Sequence, residues 1–228
     1  MTTPPPEKPA DFTASDILSA DAWTGRSAKP IVGIDVVCTK IAVDFQNMRR
    51  EGMEECVRRN LELLRGATSA DCAFLAALNP EDRTIADVQL ARSAFAQCRP
   101  EGLMGTSVES FPWLKGRLEH LRLSELRDTG APRKEQAAEA AKLAELQIGS
   151  VLSVALCTGG KPAGFLALAH ALPRGAWDVN LQLLMKLIGT SLATGLERIR
   201  TEARLAKLEE RTNLFQACLL YTSPSPRD

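Results

Sequence analysis

Val151-Leu152-Ser153-Val154-Ala155-Leu156-Cys157, the turn Thr158-Gly159-Gly160-Lys161-Pro162 and the return Phe165-Leu166-Ala167-Leu168-Ala169-His170 carry the clearest strand signal in this chain. Two short apolar runs flank a glycine pair, and such a pair supplies the backbone freedom of a tight turn. The stretch therefore predicts an antiparallel β-hairpin. Upstream, Cys72–Leu78 is another apolar run, closed by Asn79-Pro80-Glu81-Asp82. Residues 84–91 answer it with alternating Ile85, Val88 and Leu90, which predicts a second hairpin.

Between and around the hairpins the period lengthens. Ile41, Phe45, Met48, Cys56, Asn60 and Leu63 form one apolar stripe among Arg49, Arg50, Glu54, Glu55, Arg58 and Arg59. That predicts a single charged helix, weakened at Gly52 and capped near Gly66. Residues 95–116, with Pro100, Gly102, Gly105, Pro112 and Gly116, read as an irregular crossover. A short strand is expected within 121–126 and an alanine-rich helix over 133–146, ended by Gly149. Asp178 caps a long helix running to about residue 217. Helices at both ends with antiparallel hairpins between them define an α+β class.

The chain has 228 residues, 45% hydrophobic, with 28 Lys+Arg against 28 Asp+Glu. That composition fits a globular domain large enough to bury a core, and zero net charge gives no reason to expect nucleic acid. No apolar run is long enough to span a bilayer, and the start lacks a secretory signal, so a cytoplasmic location is expected. Six isolated cysteines without a C-x-x-C pair, and only His120 and His170, build no local metal shell. His120 reads as solvated and His170 as a satisfied strand-end residue. Four prolines among the first nine residues mark residues 1–30 as a flexible leader, in which Trp23 either folds back or is exposed. Residues 218–228 hold the only tyrosine, Tyr221, and two Ser-Pro pairs. They resemble a translated sequencing-library adapter, so the natural reading frame is expected to continue beyond residue 217.

Three stretches resemble the GAF domain, a small-molecule sensor module of signalling proteins. They are Phe111-Pro112-Trp113-Leu114; residues 146–156 with Gly159, Lys161 and residues 164–168; and Trp177-Asp178 followed by Leu181, Leu184, Ile188, Leu192, Ala193, Leu196, Glu197 and Arg198. The resemblance spans roughly residues 56–204 and implies an antiparallel sheet of five or six strands. Terminal helices would pack on one face, and the crossover would cover a pocket on the other. The implied organisation is a leader at 1–30, a GAF-like sensor at 31–200, a coiled-coil signalling helix at 201–217 and the adapter tail at 218–228. The asparagine-lysine, phenylalanine, aspartate-glutamate signature of cyclic-nucleotide-binding members is not visible. Nor is the adjacent cysteine-histidine pair that holds a linear tetrapyrrole in phytochromes. The ligand is thus unknown, with nothing in the sequence pointing to haem, bilin or metal.

Pocket candidates are Phe74, Arg92, Cys98, Phe111, Trp113 and Leu114, although aromatic residues read equally as core. No nucleophile-base motif is present and the Gly159-Gly160 turn is too short for a phosphate loop, so the residues present are read as non-enzymatic. In the long helix Leu181, Met185, Ile188, Leu192, Gly195 and Ile199 repeat in steps of four and three. Leu205, Leu208, Thr212 and Phe215 follow, displaced by one residue. The first run can be explained as packing under the sheet, whereas the second has little folded domain to pack against. A parallel homodimer is predicted, with Ile188, Leu192, Ile199, Leu205, Leu208 and Phe215 as the dimer and signalling residues and the register displacement as a signalling device. The implied function is a bacterial sensory input domain driving a cyclic-di-GMP enzyme of GGDEF or EAL type, directly or through a PAS domain, or else a histidine kinase. The alternatives are a ligandless dimerisation module and a thiol enzyme acting on free methionine sulfoxide.

Overall fold

The chain alternates helices α1 (Ile34–Gln46) and α2 (Met53–Thr68), strands β1 (Cys72–Leu78) and β2 (Ile85–Arg92), helix α3 (Pro112–Glu119), strand β3 (Leu123–Leu126), helix α4 (Ala137–Glu145), strands β4 (Ser150–Thr158) and β5 (Lys161–His170), and helix α5 (Val179–Thr222). The structure, a computed structural model, describes residues 33–120 and 123–222, with side chains as far as residue 214. The leader with Trp23, the last six residues and the side chain of Phe215 lie outside the described residues. The strands form one five-stranded sheet in the order β2-β1-β5-β4-β3, with every neighbouring pair antiparallel. In the central hairpin Thr158 pairs with Lys161, leaving Gly159 and Gly160 at φ 56° and 73° as a two-residue loop. Positive φ at both positions matches strand twist, and a residue with a Cβ would be strained at either.

Strand alternation sorts the core into two layers. Ala73, Leu75, Leu152, Val154, Leu156, Leu166 and Leu168 face α1, α2 and α5. Phe74, Ala76, Val151, Phe165, Ala167 and Ala169 face the crossover, where Leu103, Val108, Leu118, Ala140 and Ile148 meet them. Each fully buried Leu or Ile contributes roughly 1.5–3 kcal/mol, so both layers are substantial.

Two sequence expectations change. The single N-terminal helix is two, because Gly52 adopts φ 92° and turns the chain between α1 and α2. Phe45 and Met48 then reach the core from the first segment, and Val57, Leu61 and Leu64 reach it from the second. The crossover, expected to be irregular, contains two short 3₁₀ turns and the two-turn helix α3.

The third change concerns α5. Ile188, Leu192 and Ile199 are buried in the domain's own core rather than offered to a partner helix. Gly195, in the same stripe, lies against α1, where a Cβ would run into the Phe45 carbonyl. Replacing Gly195 with valine should prise α5 from α1 and cost about 1–3 kcal/mol by overpacking, read as a lower urea midpoint at unchanged m-value. An unchanged midpoint would show that the two helices are not held this closely.

Candidate functional site

Between the crossover face of the sheet and the helices that cover it lies a cavity of about 40 Å³. Phe74, Ile85, Val151, Ser153 and Phe165 form its floor, and Leu103, Phe111, Trp113, Leu114, Glu139 and Leu143 close it from above. Phe74 and Phe165 meet edge to face, with centroids 6.1 Å apart. The space suffices for about three waters at ~10–15 Å³ each.

Glu139 is the chemical centre of this cavity. Pro112 opens α3, and the next two backbone amides have no partner within the helix, as at any helix N-terminus. Both donate to Glu139 Oε1, Trp113 N at 2.9 Å and Leu114 N at 3.1 Å. A carboxylate at the positive end of a helix dipole is favourable there. Glu139 itself is 4% exposed. Its other oxygen, Oε2, is buried with no hydrogen-bond partner. Outside Trp113 lies a second, polar cleft of about 420 Å³ bordered by Arg117, Glu125, Arg127, Arg133 and Gln136. The Trp113 ring, with the Arg117 guanidinium 5.5 Å from its centroid, is the wall shared by cleft and cavity.

Of the six sequence candidates, Phe74, Phe111, Trp113 and Leu114 line the cavity; Arg92 and Cys98 do not. Arg92 stands at the end of β2, opposite Cys72, and clamps the crossover: its Nη1 donates to the Cys98 carbonyl and to Glu101 Oε1, both at 3.0 Å. Cys98 is fully buried beside Cys72, whose Sγ lies 3.9 Å from the Cys98 carbonyl oxygen. The hydrogen bond shared with Cys98, and then burial, push the Cys72 thiol up. A reactive thiolate needs access, and neither sulfur has any. Sequence reading missed Glu139, which looks like a solvated residue in an alanine-rich helix. The available signal was its place one turn from Leu143 and Gln136, on the face that the helix buries.

The remaining candidates are structural. His120 is exposed, its Nδ1 2.8 Å from the Gly116 carbonyl oxygen. His170 is buried at the end of β5, where Arg174 Nη1 approaches its Nε2 at 2.9 Å, Asp71 Oδ2 lies 3.6 Å from Nδ1, and the ring packs on Trp177. Among the described residues no group of three or more His, Cys, Asp or Glu is placed to hold a metal, and no helix is long and apolar enough to cross a membrane.

No family model matches the chain, and no curated protein matches it either. Solved structures do. A far-red-absorbing dark-state protein with bound biliverdin IXa aligns at TM-score 0.55 and 12% identity, over 72% of this chain and 99% of that one. The phycocyanobilin-bound GAF domain of a cyanobacterial phytochrome aligns at 0.58 and 14%, over 74% and 96%. The chromophore-binding domain of a bacteriophytochrome from R. palustris aligns at 0.58 and 10%, over 73% and 61%. The chain therefore has the GAF fold. These neighbours also correct the expectation that nothing points to a bilin.

Burial, then the charge of Arg174, hold the His170 imidazole below its ordinary pKa, against the pull of Asp71. The unfolded chain therefore takes up a proton near pH ~6.5 that the native state refuses. Stability should fall as pH drops below ~6.5, and His170→Gln should flatten that part of the profile in melts at about pH 7.5 and 5.5. A variant profile parallel to the wild type would contradict the assignment.

Proposed function

We propose that this chain is a sensory input module, which admits a small molecule between sheet and crossover and passes the cavity's state to α5. One observation carries the reading: an apolar cavity retains a buried carboxylate oxygen without a partner. Four buried polar atoms lack a partner among the described residues, Asn60 Oδ1, Glu139 Oε2, Trp177 Nε1 and Glu197 Oε2, and of these residues Glu139 is the one that lines this cavity. The route to α5 is one strand thick. Val151 and Ser153 face the cavity, while Leu152 and Val154 on the same strand face the helical layer.

Bilins enter as one candidate ligand class through the solved structures of this fold. Glu139 Oε2 suits a pyrrole N–H, but the cavity, at about 40 Å³, is far below the roughly 300–1,000 Å³ of pockets for drug-sized ligands. A tetrapyrrole would seat only with α3 and the crossover displaced. Mixing with biliverdin should be followed by visible absorbance, alongside melting-temperature shifts with a metabolite panel. At least one compound should raise the melting temperature by a few degrees. A uniformly null result would leave a ligandless dimerisation module as the better account.

A second copy of the chain is the proposed partner of α5. Its outward face carries Leu183, Leu187, Thr190, Thr194 and Thr201, then Leu205 and Leu208, all exposed. The steps are four, three, four, seven, four and three; with the seven divided as three and four at the half-buried Glu197, one extra four precedes Leu205, the pattern of a stutter in a coiled coil. The one-residue displacement after Ile199 is thus a change of face: the buried stripe ends where the domain ends, and the outward stripe continues. Converting Leu205 and Leu208 together to lysine should shift the protein from dimer to monomer in sedimentation equilibrium while leaving the domain folded. A dimer that persists would place the interface elsewhere. The helix would deliver its signal to a GGDEF, EAL or histidine kinase domain.

A further inference from the structure

The cavity's one strong polar group sets the chemistry of what it can hold. All of its other lining side chains are apolar or aromatic except Ser153, and none is Lys, Arg or His. Glu139 makes no ion pair among the described residues, and its Oε1 is already committed to the Trp113 and Leu114 amides. The helix dipole of α3 accounts for that half of the carboxylate. Oε2 is left buried with no donor from the protein. A buried carboxylate oxygen in this position is costly unless a donor arrives, and a cationic donor offsets most because it also neutralises the charge. The rings of Phe74, Phe111, Trp113 and Phe165 make much of the remaining lining aromatic and apolar, suited to a ligand's apolar body.

We infer that the ligand of this cavity carries a protonated or N–H nitrogen on an apolar body, and that this nitrogen donates to Glu139 Oε2. The inference rests on the sensory reading above and names the ligand chemistry of the same cavity. Occupancy would act on α3 directly, because the carboxylate that receives the ligand also holds the first amides of that helix. Drawing charge toward Oε2 weakens Oε1 as an acceptor for Trp113 and Leu114, so the cover of the cavity responds to what lies beneath it.

The test compares n-butylammonium with its neutral near-isostere 1-butanol, followed by ¹⁵N NMR titration of the Trp113 and Leu114 amides. Wild-type protein should bind the cation at least about tenfold more tightly than the alcohol. Glu139→Gln should abolish that preference: the amide oxygen still accepts from α3, but an NH₂ group takes the place of Oε2. The wild-type ratio needs no variant, so the inference stays exposed to failure even if Glu139→Gln folds poorly. Equal binding of cation and alcohol, in wild type or in both proteins, would overturn the nitrogen-donor inference while leaving the cavity as a ligand site. If neither probe moves the two amides and the metabolite panel is also null, both the inference and the sensory reading fall.

Discussion

One carboxylate caps the helix that covers the cavity. Glu139 reaches from α4 to the first free amides of α3 and caps that helix from outside its own sequence. The N-cap position of α3 is Phe111, whose side chain has no acceptor to offer. Without Glu139 these two half-buried amides would lose their partner in the protein. The cover of the cavity and its polar centre meet in this single contact.

The sheet gives that contact its importance. A sheet of alternating strands has two apolar faces and both need cover. On one side α1, α2 and α5 supply regular helices that pack closely enough for Gly195 to touch the backbone of α1. The other side is covered by a crossover with little regular structure, tied down by few bonds. Ile85 N and O pair with Thr106 O and Gly105 N, Arg99 N with Leu146 O, and Arg92 holds the Cys98 carbonyl. Local opening free energies follow the density of such ties, so the crossover is the part of the fold best suited to move. The cavity thus lies on the loosely held face and the long helix on the rigid one.

How much of this was legible in the sequence depended on whether a residue's role was local. The two hairpins were legible because a turn pair and a period of two are short-range signals; β1 agrees to the residue and β2 is offset by one. The break between α1 and α2 was hidden, since the apolar stripe runs on past Gly52 and only the backbone records the turn. The stripe of α5 was legible as apolar, but a period cannot say whether it meets a sheet or another helix. Ile188, Leu192 and Ile199 proved to be core for that reason. Phe74, Phe111, Trp113 and Leu114 were legible as aromatic and apolar lining, whereas Glu139 was not. Its role comes from two amides 25 and 26 residues away, and nothing in the alanine-rich segment around it records that contact. Arg92 and Cys98 misled because they belong to the crossover's anchorage at the end of the sheet rather than to its cavity.

Hydrogen–deuterium exchange of wild-type protein against Glu139→Ala tests the central claim most directly. The account predicts that amides of α3, beginning with Trp113 and Leu114, lose protection by an order of magnitude or more, while the β4–β5 ladder and α5 keep theirs. Unchanged protection in α3, or a loss spread evenly over sheet and helices, would contradict the claim that one buried carboxylate holds the cover of the cavity.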